Sequence, residues 1–227
     1  MPAGSPRRTP LDRTRVVAEA VALADEQGLD AVSMRALAGR LGVVPMALYK
    51  HVADKDDLVA GMLDAVIDGY AAPPLGTDWR DTVRARILAA RQALLVHPWL
   101  RPAIEGATRR TPSVLRHMDT LAGDLIDAGF SVDLTHHAMH ALGHRIWGFS
   151  PEAFSSPAAG GEEAPPPPEV MQQLAQAFPY VTAIALDAAT RNPTGACDEQ
   201  SEFEFTLDLL LDAFERLHAA GWSSVQT

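Results

Sequence analysis

The sequence predicts an all-α chain in two parts, a three-helix head containing a helix-turn-helix and a larger helical body. Three observations carry this reading. Ala and Leu outnumber β-branched residues in most segments, and a composition 47% hydrophobic but only 6% aromatic favours helices over sheets. Two short apolar-periodic segments meet at Gly42, the pattern of two helices joined by a tight turn. Charge is also divided unevenly: residues 1–55 carry 8 Lys and Arg against 6 Asp and Glu, whereas residues 56–227 carry 11 against 23, within a net charge of −10. A polyanion is drawn to the first part and repelled by the second, so a DNA-facing surface is confined to the N-terminal quarter.

The elements follow in order. Residues 1–11 hold three prolines, a glycine and the pair Arg7 and Arg8, which predicts a flexible tail, with a basic arm reaching a neighbouring groove as the alternative. Val16, Val17, Ala20, Leu23 and Ala24 keep helical spacing up to Gly28, a suitable C-terminal cap. Ser33 is placed to cap a second helix with the buried stripe Met34, Leu37, Ala38 and Leu41, which Gly42 ends. Pro45 opens a short third helix whose inward positions are Leu48 and Val52. A fourth helix begins at Asp54, with Asp56 and Asp57 in its first turn, and runs through Leu58, Met62, Val66 and Ile67 to about Tyr70, before Pro73 and Pro74. The head is thus residues 12–70 and the body residues 71–227.

Major-groove readout needs a short helix with apolar anchors inside and a face outside that meets base edges and thymine methyls. Between Val44 and His51 the outward residues are Pro45, Met46, Ala47, Tyr49 and Lys50. Met46 and Ala47 suit methyl groups, Lys50 a guanine edge or a phosphate, and Tyr49 and His51 are donors of phosphate length. Lys55 stands where a cation opposes the helix dipole, an unfavourable placement that a bound phosphate reverses in sign. With Ser33 and Arg35 at the start of the second helix it makes two phosphate clamps flanking the third, the alternative for Lys55 being a solvated surface lysine.

The segment from Val32 to Val66 resembles the DNA-binding domain of the TetR family of transcriptional regulators. The resemblance lies in Ser33-x-Arg35-x-Leu37-Ala38, the Leu41-Gly42-Val43 turn, Leu48-Tyr49-x-His51-Val52 and Lys55, and it spans residues 12–70 without a gap. It implies that the tyrosine and histidine contact the DNA backbone and that the positions of Pro45, Met46 and Ala47 vary with the operator. In the body, His97-Pro98-Trp99-Leu100, Gly129, Gly148-Phe149 and FEFTLDLLLDAFERL are similar to the tetracycline-repressor-like branch of the family. This implies a ligand-binding and dimerisation domain whose helices at 132–149 and 201–219 form a four-helix bundle with their two-fold mates. That family's drug and magnesium ligands do not map onto this chain, and no cofactor is expected.

Periodicity places further body helices at about 79–96, 98–106, 112–128, 132–149, 169–191 with a break at Pro179, and 201–219. Residues 150–168, with six prolines and two glycines, read as a mobile loop. In the last helix Phe203, Leu207, Leu210, Leu211 and Phe214 form one stripe with Leu217; it is the candidate dimerisation face, and ordinary core is the alternative. Trp99, Leu115, Met118, Leu121, Met139, His140, Leu142 and Trp147 are candidates for a largely apolar effector pocket, though such a set also suits plain core. His136, His140 and His144 share one face, with His137 adjoining. A metal sensor or metalloenzyme is the alternative this raises, against pocket or interface histidines, since no acidic or cysteine ligand is fixed nearby. Cys197 reads as an incidental loop thiol.

The first 30 residues lack the apolar stretch of a secretion signal, and nowhere do 18 apolar residues run together. The expectation is a cytoplasmic, ligand-responsive regulator, a homodimer on a palindromic double-stranded DNA operator without membrane contact. A regulator with no effector is the competing reading.

Overall fold

The structure, a computed structural model, describes residues 10–107, 110–147, 168–191 and 199–225. Residues 1–9, the segment 148–167 and Cys197 lie outside the described residues, so the expected arm and loop fall there almost entirely. By internal contacts the chain divides into one unit of residues 1–147 with 214–227 and another of residues 148–213. The described residues form eleven α-helices and no strand.

Capping sets the head. Asp12 accepts from the Arg15 N–H at 2.8 Å and opens α1 (Arg13–Gln27), which Gly28 closes at φ 81°. Ser33 accepts from the Ala36 N–H at 3.2 Å and opens α2 (Met34–Leu41). Gly42 then adopts φ 66°, ψ 36°, and this left-handed turn lets the Val43 N–H reach the Ala38 carbonyl at 3.0 Å. Pro45 leads α3 (Pro45–Leu48) from the first turn, where a missing N–H costs nothing. Asp54 precedes α4 (Lys55–Asp68) as its cap, accepting from the Asp57 N–H at 2.8 Å.

The buried faces of these helices make one core: Val16, Ala20 and Leu23 of α1, Leu37 of α2, Leu48 of α3 and Leu58, Met62 and Leu63 of α4. Leu11, the last residue of the expected tail, packs against it. The crossing of α1 and α4 is close. A Cβ on Gly61 would stand 3.0 Å from Val17 Cγ2 and 3.3 Å from Arg13 Nη2.

The first unit continues through α5 (Trp79–Val96), α6 (Leu100–Glu105), α7 (Pro112–Asp127) and α8 (Val132–Trp147). Helix α7 packs against α4, α5 and α8. Polar ties reinforce the α4–α7 contact: the Ser113 N–H donates to Asp64 at 3.3 Å and Arg116 to Asp68 at 3.0 Å. Arg86 of α5 pairs with Asp124 of α7. In the second unit α9 (Pro168–Ala177) and α10 (Pro179–Arg191) pack on each other, broken at Pro179 as the sequence predicts.

Helix α11 runs over Glu199–Ala219. Phe203, Leu207, Leu211 and Phe214 are buried and Leu210 is half-buried. The large apolar residues that α11 leaves exposed are Phe205 and Leu209, at 62% and 50%. The end of α11 is held in the first unit by His218 stacked on Phe130 at 4.3 Å and by Asp133 accepting from Ser223 and Ser224.

Two glycine substitutions test these contacts with opposite signs. Gly39, inside α2, has open space at its Cβ position. Gly39→Ala is expected to raise the melting temperature, adding up to about 1 kcal/mol of helix propensity. Gly61→Leu drives a side chain into α1 and is expected to lower it by overpacking of about 1–3 kcal/mol.

Candidate nucleic-acid interface and body cavity

The turn at Gly42 and the burial of Leu48 and Val52 orient α3 with its other side outward. Pro45, Met46, Tyr49 and Lys50 are exposed, Met46 at 72%, while Ala47 and His51 are half-buried. Val44, the residue before α3, is also exposed and joins Met46 in an apolar tip suited to thymine methyls, a residue the sequence pattern passes over because it precedes the helix. Ser33, Arg35 and Lys55 are exposed at the starts of α2 and α4. The Ser33 oxygen is engaged as a cap acceptor, which leaves its O–H free to donate outward.

The cations of the head fall into two groups. Arg13 grips Asp57 through two nitrogens at 2.8 Å and also donates to the His51 carbonyl at 2.9 Å. Arg40 donates to Glu19 at 2.6 Å and to Glu26 at 2.5 and 2.9 Å, which holds the Glu26 carboxyl below its usual range. By contrast, among the described residues Arg35, Lys50 and Lys55 make no ion pair and remain available to an external anion. Lys50 and Lys55 are the only two lysines in the chain.

Arg13 is a positioning residue for this surface. Its contacts join the start of α1, the end of the α3 segment and the first turn of α4, and Asp57 also accepts from the Ala53 N–H at 2.8 Å. Arg13 and Asp57 stand 44 residues apart, so no local pattern announces the pair.

Trp99 is not among the residues lining the body cavity. It is 3% exposed in the head core with Leu100 and Ala103, and its indole N–H donates to Asp25 of α1 at 2.6 Å. His97 Nδ1 meets the same carboxylate oxygen at 2.7 Å. Trp99 is therefore a joint between head and body, not a wall of the body cavity. An apolar residue in a composition-based set can be claimed by either core, and only the fold decides which.

The cavity lies between α4, the α6–α7 segment and α8, with a volume of about 640 Å³. Met118, Leu121, Met139 and His140 line it, together with Leu63 and Ile67 of α4, Tyr70 just beyond its end, Arg110, and His117 of α7. Leu115 does not: it is half exposed beside Arg116 and Asp119 at a shallow surface depression, one residue out of phase with the inward face of α7. Leu142 is fully buried core, and the side chain of Trp147 lies outside the described residues. His136 and His140 approach at a ring separation of 4.7 Å and both line the cavity; His144 is 6.3 Å from His140, and His137 turns to Trp222 and Asp133. Among the described residues no three His, Cys, Asp or Glu side chains are grouped to hold a metal ion.

Two wall residues are tuned by burial. Burial, with the charge of Arg86, pushes the His117 pKa down and favours a neutral imidazole. Burial raises Tyr70 to about 12, so its hydroxyl stays protonated, and that hydroxyl has no hydrogen-bond partner among the described residues.

Lys55→Ala tests the clamp. It is expected to weaken binding to all DNA sequences alike and to reduce the dependence of log affinity on log salt by about one unit. An altered base preference at unchanged salt slope would contradict the phosphate role, and Met46→Ala is the contrasting variant, expected to change base preference with the salt slope intact.

Comparisons with known proteins agree with this geometry. The profile described as bacterial regulatory proteins, tetR family, matches residues 16–62, and the tetracyclin repressor-like C-terminal domain matches residues 72–217. An HTH-type transcriptional regulator of Saccharopolyspora erythraea is 36% identical over 121 residues, 53% of this chain and 51% of its own length, so that match spans about half of the relative. The tetracycline repressor protein class G of Vibrio anguillarum is 31% identical over 215 residues, covering 93% of this chain and 97% of that protein. A solved structure of a possible TetR family transcriptional regulator from Streptomyces coelicolor superposes with a TM-score of 0.68 at 31% identity, over 91% of this chain and all of that one. No helix among the described residues is long and apolar enough to cross a membrane. The chain belongs to the TetR family of DNA-binding transcriptional regulators.

Proposed function

We propose that this chain is a cytoplasmic repressor that binds a palindromic operator as a homodimer and is released by a small molecule entering the cavity. The observation that carries the reading is the double duty of α4. Leu58, Met62 and Leu63 belong to the head core, while Leu63, Ile67 and Tyr70 line the cavity, and Lys55 stands at the opposite end of the helix. A ligand that displaces the cavity side of α4 therefore acts on the element that carries Lys55 and the Arg13–Asp57 contact.

Release requires that the ligand bind the non-operator conformation more tightly, and DNA then weakens the ligand by the same factor, typically about 1–3 kcal/mol of coupling. A cavity of about 640 Å³ with a mostly apolar wall supports an effector over a regulator without one. A TetR variant of Acinetobacter baumannii, solved in complex with minocycline, shares the fold at 26% identity and a TM-score of 0.62. For dimerisation, exposed Phe205 and Leu209 on α11 supply apolar surface, and a two-fold pair would set two recognition helices about 34–36 Å apart on successive major grooves.

Genome-wide capture with the full chain is expected to retain a few promoters that share an inverted repeat, and light scattering is expected to give a dimer. A monomer that retains no genomic fragment even at low salt would overturn the proposal.

A further inference from the structure

The chain carries 29 Asp and Glu against 19 Lys and Arg, yet no carboxylate lines the body cavity among the described residues. Its ionisable wall consists instead of Arg110, Tyr70 and the imidazoles of His117, His136 and His140. Every one of these groups can donate a hydrogen bond, and Arg110 can only donate.

In the same unit Arg13 pairs with Asp57, Arg86 with Asp124 and Arg116 with Asp68. Arg110, exposed at the cavity mouth before α7, makes no ion pair among the described residues. A neutral ligand that covered it would strip its water and return at most hydrogen bonds to a neutral acceptor, weaker than charge-assisted ones. A cationic ligand would meet no carboxylate. An anionic oxygen gives Arg110 a charge-assisted, potentially bidentate partner.

Apart from Thr111, the remaining side chains of the wall are hydrocarbon and thioether, from residues such as Ile67, Leu121 and Met139, so a small polar anion does not fill it. We infer that the effector is an apolar acid: a largely hydrocarbon or aromatic body bearing one anionic oxygen group, bound with that group at Arg110 and the body against α4, α7 and α8. This rests on the cavity being the effector site. It adds the charge of the ligand, which the fold alone does not specify.

The test uses two dyes with one aromatic skeleton, anilinonaphthalene sulfonate, which is anionic, and N-phenyl-naphthylamine, which is neutral, titrated by fluorescence into the full-length dimer. The sulfonate is expected to bind at least about tenfold more tightly. Arg110→Gln, at an exposed loop position, is expected to erase that preference while leaving the neutral dye unchanged. Met139→Trp, or Val114→Trp if the first variant fails to fold, is expected to block both dyes and so separate the cavity from exposed surface. Displacement of the sulfonate by decanoate or by naphthoate then distinguishes an alkyl from an aromatic acid, and displacement by neither contradicts the inference.

Equal or tighter binding of the neutral dye, or an unchanged ratio in Arg110→Gln, would overturn the acid. If the neutral dye alone binds, is blocked by the tryptophan variant and frees operator DNA, the effector site stands and only its preference for an acid falls. If neither dye responds to the tryptophan variants, the cavity holds no such ligand and both readings fail.

Discussion

Helix α4 is buried on two sides at once, and most of the structure's meaning depends on that constraint. Leu58 and Met62 are fully buried in the head core, and Leu63 belongs to that core and to the cavity wall. A helix packed on one side only can shift as surface side chains rearrange. A helix wedged between two cores transmits a change in one to the other, because interiors packed like crystals have little slack to absorb it. The ties from Asp64 to Ser113 and from Asp68 to Arg116 fix α4 to the body, and Arg13 with Asp57 fixes it to the head.

The joint at Asp25 adds a second route between the same parts. One carboxylate oxygen receives both the Trp99 indole and the His97 ring, so α1 is held to the corner between α5 and α6. Helix α6 itself is shared: Leu100 and Ala103 belong to the head core, while Ile104 lines the cavity. The head is thus seated on the body by two short elements whose other faces look into the cavity. The unpaired cations Arg35, Lys50 and Lys55 ride on this seat, and a small rotation of it changes where all three point.

The head was largely legible in the sequence because its determinants are local. Ser33, Gly42, Pro45 and Asp54 act within four residues of themselves, and each stands where the capping and turn rules put it. The body was legible as helices but not as surfaces. An apolar stripe states that a face must be covered and is silent on what covers it: Phe203 and Leu207 are buried while Phe205 and Leu209 are exposed. Trp99 and Leu115 show the same gap, since composition suggests a pocket and only the phase of each helix says which side chains enter it. Arg13 with Asp57, and Arg110 with its histidine neighbours, join residues distant in sequence through geometry that no short motif encodes.

The claim that the cavity governs the head through α4 is tested most directly by measuring the separation of the two heads. A spin label at Gly39→Cys, in a Cys197→Ser background, sits on an open part of α2. Pulsed electron resonance then reports the label-to-label distance in the dimer, free, on operator, and with whichever of the two naphthyl dyes occupies the cavity. The account predicts a narrow distribution on operator and a displaced one with the dye bound. A dye that occupies the cavity, weakens operator binding and leaves the distribution unchanged would contradict it.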